Sequence, residues 1–564
     1  MKKTIYYILT ALVLTTNMAC SDFLTEESKT EIEKSTYMTN AAEAENVLLG
    51  VYRNMVTDAM YGYHLSILFT LGTDIAQVEG STNENFRIIP TNSFTANQAE
   101  IRQTWAMLYN SIYNANDFLE SLEQKMQNYS DADQKLATIY MAEARGLRAL
   151  YYFELLTRYG HIALITNTKM SSQHPSTFVQ EEPVKVYEFI EQDLQYAVEN
   201  LPYAVDDTYR KNSSYRFSRG SALGLLAKVY ATWAGYPVRD QSKWEMAAKT
   251  AQILVESNKH SLLSDYEQLW KNAGSGTWNP QESLIEVTFY SPTATLGSDP
   301  VGRIGKWNGV WASAIAGVRG RNAGNVKVVH TFVLDWRNYP SDLRRDISVA
   351  NYRYNDDKML WAKTGTDTDQ AAAESDADPT KKQAQKQNYT PGKWDTEKYV
   401  PQSNDLINND KSNVNWYVLR YADVLLLYAE ALNEWKQGPT DDAYTAINMV
   451  RRRGYGLPIG TANATADLTA GLGFADFQKA VRQERAFELA FEGHRKNDLI
   501  RWGIYYETVK ATAQRLGSWW ASSGSPNYAV AKPEYTTKGK HELFPIPQGE
   551  MDIMTQFEQN PGWK

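Results

Sequence analysis

Helical periodicity constrains this chain more than any other feature. Segments 41–57, 99–126, 132–158, 183–200, 219–235, 242–257, 417–436, 440–453 and 475–503 all repeat apolar residues at the spacing of an amphipathic or buried helix. Several of these helices come in pairs. Ala222–Ala234 precedes Trp244–Leu254, Ala422–Trp435 precedes Asp441–Arg452, and Met141–Tyr159 precedes Val184–Leu201. Small residues such as Ala227, Ala231, Ala429, Ala431, Ala443 and Ala446 recur among large ones, so two helices can approach closely and stack on the next pair. The expected fold is therefore all-α: a tetratricopeptide-like helical-repeat scaffold with long loop insertions and little β-structure. Strand-like runs are few, at Ser283–Tyr290 and Lys327–Phe332.

The amino terminus reads as an address rather than as fold. Lys2 and Lys3 precede an apolar stretch, Thr4 to Thr16, that is too short to span a bilayer. Ala19 then precedes Cys20, the one cysteine in 564 residues. A lone cysteine directly after such a stretch is the pattern of bacterial lipoprotein processing, although Asn17 stands where these sites usually carry Leu. Residues 1–19 are read as a signal peptide and Cys20 as the lipidation site. Residues 20–40 are then a lipid-anchored segment, and 41–564 one domain with a loop-rich insertion around 258–416. With no second cysteine, stability has to come from a large core rather than from disulfides.

Charge and motif content exclude several functions. The formal charge is −8 and grows more negative once Lys2 and Lys3 leave with the leader, which is the wrong sign for a nucleic-acid partner. The seven histidines, at 64, 161, 174, 260, 330, 494 and 541, are dispersed. No HExxH, Walker loop, dinucleotide fingerprint or GxSxG elbow occurs. The expectation is therefore no metal, no cofactor and no catalysis.

Three runs carry a family resemblance. They are Val418–Glu434 (VLRYADVLLLYAEALNE) with Ile447–Arg453, then Glu484–Gly503 (ERAFELAFEGHRKNDLIRWG), then Leu543–Pro547 (LFPIP) with Gln559–Gly562. Together with Cys20 they resemble the SusD/RagB family of outer-membrane nutrient-binding lipoproteins. The resemblance implies a helical fold on tetratricopeptide-like repeats, lipid-anchored on the outer face of the outer membrane. It also implies a SusC-like TonB-dependent transporter as partner and an oligosaccharide as ligand. Peptide capture of the RagB type is the alternative, and a surface glycoside hydrolase a more distant one.

The hydrolase needs two carboxylates facing each other across a cleft. Glu484, Glu488 and Glu492 instead form an i, i+4, i+8 stripe, beside a buried face of Phe487, Ala490, Phe491 and His494. Like charges so spaced repel unless cations sit close, and Arg482, Arg485, Arg495 and Arg501 are the nearest in sequence. Arg420, Asp423 and Glu430 take the same structural reading.

Ligand contacts are expected in the loops. A sugar offers C–H patches to flat aromatic rings and hydroxyls to polar side chains, and Tyr (36) outnumbers Phe (17) here. Trp270, Trp278, Tyr290, Trp307 and Trp311, with Arg303 and Asn308, fit that chemistry best. Asp74, Asn83, Asn85, Phe86 and Arg87 are placed to close the site from the earlier loop. Trp105, Trp233, Trp435 and Trp502 lie on helices and are assigned to the core.

Overall fold

The computed structural model describes residues 37–79, 85–290, 301–355, 358–361, 389–401, 409–516, 528–529 and 534–564; the leader and Cys20 lie outside them. The scaffold helices are α1 (Ala41–Arg53), α2 (Ala99–Lys125), α3 (Asp131–Tyr159), α4 (Pro183–Asn200) and α5 (Arg219–Trp233). They continue with α6 (Lys243–Glu256), α7 (Tyr421–Lys436), α8 (Asp441–Gly454), α9 (Phe474–Glu488) and α10 (Arg495–Arg501).

Local chemistry sets many of the ends. The Asn40 side chain accepts from Glu43 N at the start of α1, Ser130 accepts from Asp133 N at the start of α3, and Ser218 and Ser221 form a capping box on α5. Gly160 stops α3 at φ +67°. From α2 to α6 each helix packs on its predecessor in chain order, α7 packs on α6, and α8 and α9 both lean on α7. The predicted pairs are therefore turns of one continuous helical stack. Its centre is α5, buried on nearly every side, with Ala222, Gly224, Ala227 and Ala231 letting neighbours close in. A Cβ on Gly224 would stand 2.9 Å from both Leu284 Cδ1 and Leu419 Cδ2.

Those two leucines belong to a sheet that corrects the sequence reading. Residues 417–420 were expected to open a helix, but Trp416–Arg420 pairs antiparallel with Ser283–Val287, and α7 begins only at Tyr421. An apolar run buried on both faces has no periodicity to separate strand from helix. The helix expected over 475–503 also breaks. It ends at Glu488, turns through Phe491 (φ +63°) and Gly493 (φ +87°), and resumes as α10. Phe487, Ala490, Phe491 and His494 are all buried, but they do not share one helix face. The strand read at 327–332 is shorter, Val326–Val328, and gives way to a helix at His330.

The broken helix delivers its glutamates to a buried ionic cluster. Arg420 contacts Glu282 (2.7 Å), Glu488 (3.1 Å) and Glu492 (2.6 Å). Arg453 contacts Glu282 (3.1 Å) and Glu488 (2.6 Å), Arg344 contacts Glu484 (2.7 Å) and Glu488 (3.0 Å), and Lys393 contacts Glu492 (2.7 Å). The predicted ionic role holds, but its partners come from distant segments. The arginines nearest in sequence are used elsewhere: Arg485 on Asp423 and Asp498, Arg495 on Asp74, and Arg501 on Glu430. Burial alone would raise Glu488, yet Arg453, Arg420 and Arg344 hold it down at about 2. Every carboxylate of the stripe is committed to cations, and none faces another across a cleft.

The carboxyl-terminal motifs close over the stack. Phe544 N donates to Arg158 O (2.7 Å), and Asn560 Nδ2 donates to Tyr159 O (2.8 Å) and Phe544 O (2.7 Å). The extended LFPIP segment and the QNPG ending are thus tied both to each other and to the end of α3.

Candidate functional site

Two segments that the sequence separates widely, 58–87 and 301–325, meet around one indole. Trp307 is 6% exposed and held between Tyr63 (centroids 4.8 Å, 68°) and Phe86 (4.5 Å, 75°), both edge-on. Arg87 lies over Phe86 at 4.4 Å, and Arg303 over Tyr63 at 4.9 Å. Asp58 accepts from Arg303 (2.8 Å) and Lys411 (2.6 Å). Burial pushes the Asp58 carboxyl up, but these two bonds hold it below its ordinary value.

The loop that carries Trp307 has little freedom. Asn308 Oδ1 accepts from Gly305 N at 2.7 Å, and Gly305 sits at φ +80°. A Cβ on Gly309 would lie 2.1 Å from Trp394 O, so this approach admits only glycine.

The sequence-derived residues therefore divide. Phe86, Arg87, Arg303, Trp307 and Asn308 come together. Trp307 and Asn308 serve that cluster as buried supports: the indole is held between Tyr63 and Phe86, and Asn308 Oδ1 is spent on Gly305 N. Trp270 lies elsewhere, fully buried beside Trp394 (5.4 Å) and the Lys393 ammonium (4.6 Å), where it walls the ionic cluster. Asp74 is taken up by Arg495 at 2.6 Å. Asn83 lies outside the described residues, and Asn85 opens the short turn Asn85–Ile88.

Three aromatics stay open to a ligand. Tyr290 is 65% exposed; its neighbour Phe289 packs its ring against Gly302, next to Arg303. Trp311 is half-buried with the exposed Arg353 guanidinium over its ring at 5.4 Å, and Trp278 is half-buried and tilted 45° to Tyr215. Sequence reasoning missed Asp58, Tyr63, Tyr215, Arg353 and Lys411. Tyr63 carried the one available signal, the aromatic-rich run Tyr61–Tyr63 between the helices read at 41–57 and 99–126.

Beneath this face sits a carboxylate of a different kind. Glu286 accepts from Ser283 Oγ and Asn415 Nδ2, each at 2.7 Å, and has no cationic partner among the described residues. Burial overrides those two bonds and pushes its carboxyl from 4.5 up to about 7. Between these values the folded state keeps a proton that the unfolded chain has released, so stability falls as pH rises through the window. The loss amounts to about 3 kcal/mol once the pH exceeds the folded value. Urea midpoints at about pH 5 and about pH 8 should differ less in Glu286→Gln than in the parent. An identical difference in both would assign the pH dependence to other groups.

Comparison with known proteins follows this geometry. Residues 260–563 match the family model described as "SusD family", and residues 22–231 match one described as "Starch-binding associating with outer membrane". The chain belongs to the SusD family. A crystal structure of a SusD homolog from Bacteroides thetaiotaomicron is 66% identical, covers 95% of this chain and 100% of its own, and superposes with a TM-score of 0.90. A laminarin-binding SusD-like protein is 25% identical over 93% of this chain and 99% of its own, with a TM-score of 0.64. SusD-like protein P25 of Formosa agariphila is 24% identical, covering 95% of this chain and 94% of its own. The predominantly helical fold is the one these relatives share. Among the described residues no helix is long and apolar enough to cross a membrane, and no group of three His, Cys, Asp or Glu is placed to hold a metal ion.

Proposed function

We propose that this protein captures oligosaccharides at the cell surface and passes them to a TonB-dependent outer-membrane transporter of the SusC type, without chemical turnover. The observation that carries the reading is the set of loop aromatics left open to solvent, Tyr290, Trp311 and Trp278, with Arg353 over the Trp311 ring and Arg303 over Tyr63 in the Trp307 cluster. Rings offer stacking area at little entropic cost, and adjacent guanidinium groups supply donors for sugar hydroxyls. The SusD-like neighbour whose description names laminarin supports a glycan as the ligand class.

Cys20 is the proposed anchor in this reading. Residues 1–19 are removed, a diacylglyceryl group carried as a thioether on Cys20 fixes residues 20–40 to the outer membrane, and 41–564 acts as one domain outside it. Affinity electrophoresis of the chain from residue 21 onward against a polysaccharide panel, with peptides as competitors, tests the ligand class. Retardation by one glycan that peptides leave unchanged is expected. Silence on all glycans with peptide binding would replace the proposal with peptide capture.

A further inference from the structure

Away from the Trp307 face, a cavity of about 760 Å³, its mouth included, opens between the end of α3, the middle of α5 and the turn that precedes α10. A second, of about 490 Å³, adjoins it, and Phe153, Lys228, His494 and Asn497 line both. The first is walled largely by apolar groups, among them Leu156, Tyr187, Val238 and Leu427. The polar groups at the junction are only partly satisfied. Lys228 Nζ donates to Asp423 Oδ2 at 3.1 Å and to His494 Nδ1 at 2.9 Å. An ammonium has no lone pair, so Nδ1 is the accepting nitrogen and the ring proton sits on Nε2.

His494 is 7% exposed, and its Nε2–H meets no acceptor among the described residues. The Asn497 side-chain amide likewise has no partner among them. One proton of Lys228 also remains, since two are spent. Three kinds of donor therefore converge where the cavities join. The turn that sets His494 there carries Phe491 and Gly493 at positive φ, a conformation that a bulky residue holds only when its surroundings impose it.

The wall of the larger cavity holds the opposite chemistry. Glu542 lines it, and its buried Oε2 has no hydrogen-bond partner. The charged groups nearby answer it only in part: Lys538 favours its charged form from a distance but bonds Glu507, Arg485 and Arg501 both bond Asp498, and Arg501 also bonds Glu430. A carboxylate oxygen buried without a donor is costly, and a bound molecule that brings a cation to it, and an anion to the donors at the junction, removes that cost.

We infer that this cavity binds a small zwitterion with an apolar body, an amino acid or dipeptide with hydrophobic side chains. Its carboxylate would be held by Lys228, His494 and Asn497, and its ammonium by Glu542. The side chain then lies against Phe153, Leu156, Tyr187 and Val238. The site is separate from the aromatic face and draws on none of its residues.

The test is calorimetry of the soluble chain with L-leucine, L-phenylalanine and Leu-Leu, beside 3-phenylpropanoate, which lacks the ammonium, and phenethylamine, which lacks the carboxylate. Saturable binding of at least one zwitterion is expected, weakened about tenfold or more in each one-charge analogue of phenylalanine if that is the ligand bound. Asn497→Leu and Glu542→Gln should each lower that affinity without lowering the melting midpoint of the free protein. Val238→Trp, which fills the apolar end, should abolish binding. Absence of saturable binding up to about 10 mM, or equal affinity for zwitterion and analogues in the parent protein, overturns the inference whatever the variants do.

Discussion

Replacing Arg420 by methionine is expected to cost about 3–5 kcal/mol of stability, a large share of the roughly 5–15 kcal/mol that holds a typical folded domain. Arg420 bonds Glu282, Glu488 and Glu492 at once, all fully buried, and draws together the strand Trp416–Arg420, the segment before Ser283 and the turn after α9. Methionine fills most of the volume but leaves three carboxylates short of a cation where water does not reach. Arg453 and Lys393 still cover part of Glu282, Glu488 and Glu492, so the loss should be shared among several groups rather than fall on one. Urea unfolding followed by circular dichroism reads it directly. A midpoint within experimental error of the parent would mean that the cluster contributes nothing net. Lys393→Met, which removes one partner of the Glu492 carboxylate and one of the Glu488 carbonyl, should cost less.

Trp307→Ala carries the second large effect, again about 3–5 kcal/mol, because it empties a packed indole site between Tyr63 and Phe86. Its consequence for ligand binding is indirect. Without the indole, Phe86 and Arg87 on one side and Tyr63 and Arg303 on the other lose the body that spaces them, so glycan affinity should fall together with the melting midpoint. Trp307→Phe keeps part of the contact and should recover part of both. A variant that loses glycan binding with an unchanged midpoint would instead make Trp307 a direct contact, against its burial.

The two indoles of WNGVW show what the sequence made legible and what it did not. In that run, residues 307–311, Asn308 and Gly309 beside the indoles marked a polar loop. In an irregular loop, however, a four-residue offset does not put both rings on one side. Gly305 and Gly309 pack the backbone against Thr396 and Trp394 O, which turns Trp307 inward and leaves Trp311 half-open. The helical stack was legible because amphipathic periodicity survives burial of one face, and the Trp416–Arg420 strand was not because both of its faces are buried.

The ionic cluster lies between these cases. The i, i+4, i+8 glutamates announced a need for cations, but Arg344, Lys393, Arg420 and Arg453 reach them only through the tertiary fold. Asp58 and Lys411, far apart in sequence and joined at 2.6 Å, were invisible for the same reason.

The most direct test of the account is isothermal calorimetry of the soluble chain and a Tyr290→Ala/Trp311→Ala double variant, titrated side by side with the glycan retained in electrophoresis. Both side chains are open to solvent in part or in full, so the variant should keep the parent's melting midpoint within a degree or two, about 0.5 kcal/mol. Its affinity should drop by at least about tenfold, the loss expected when two stacking rings are truncated. Unchanged affinity in the folded double variant would contradict the assignment of glycan capture to this face.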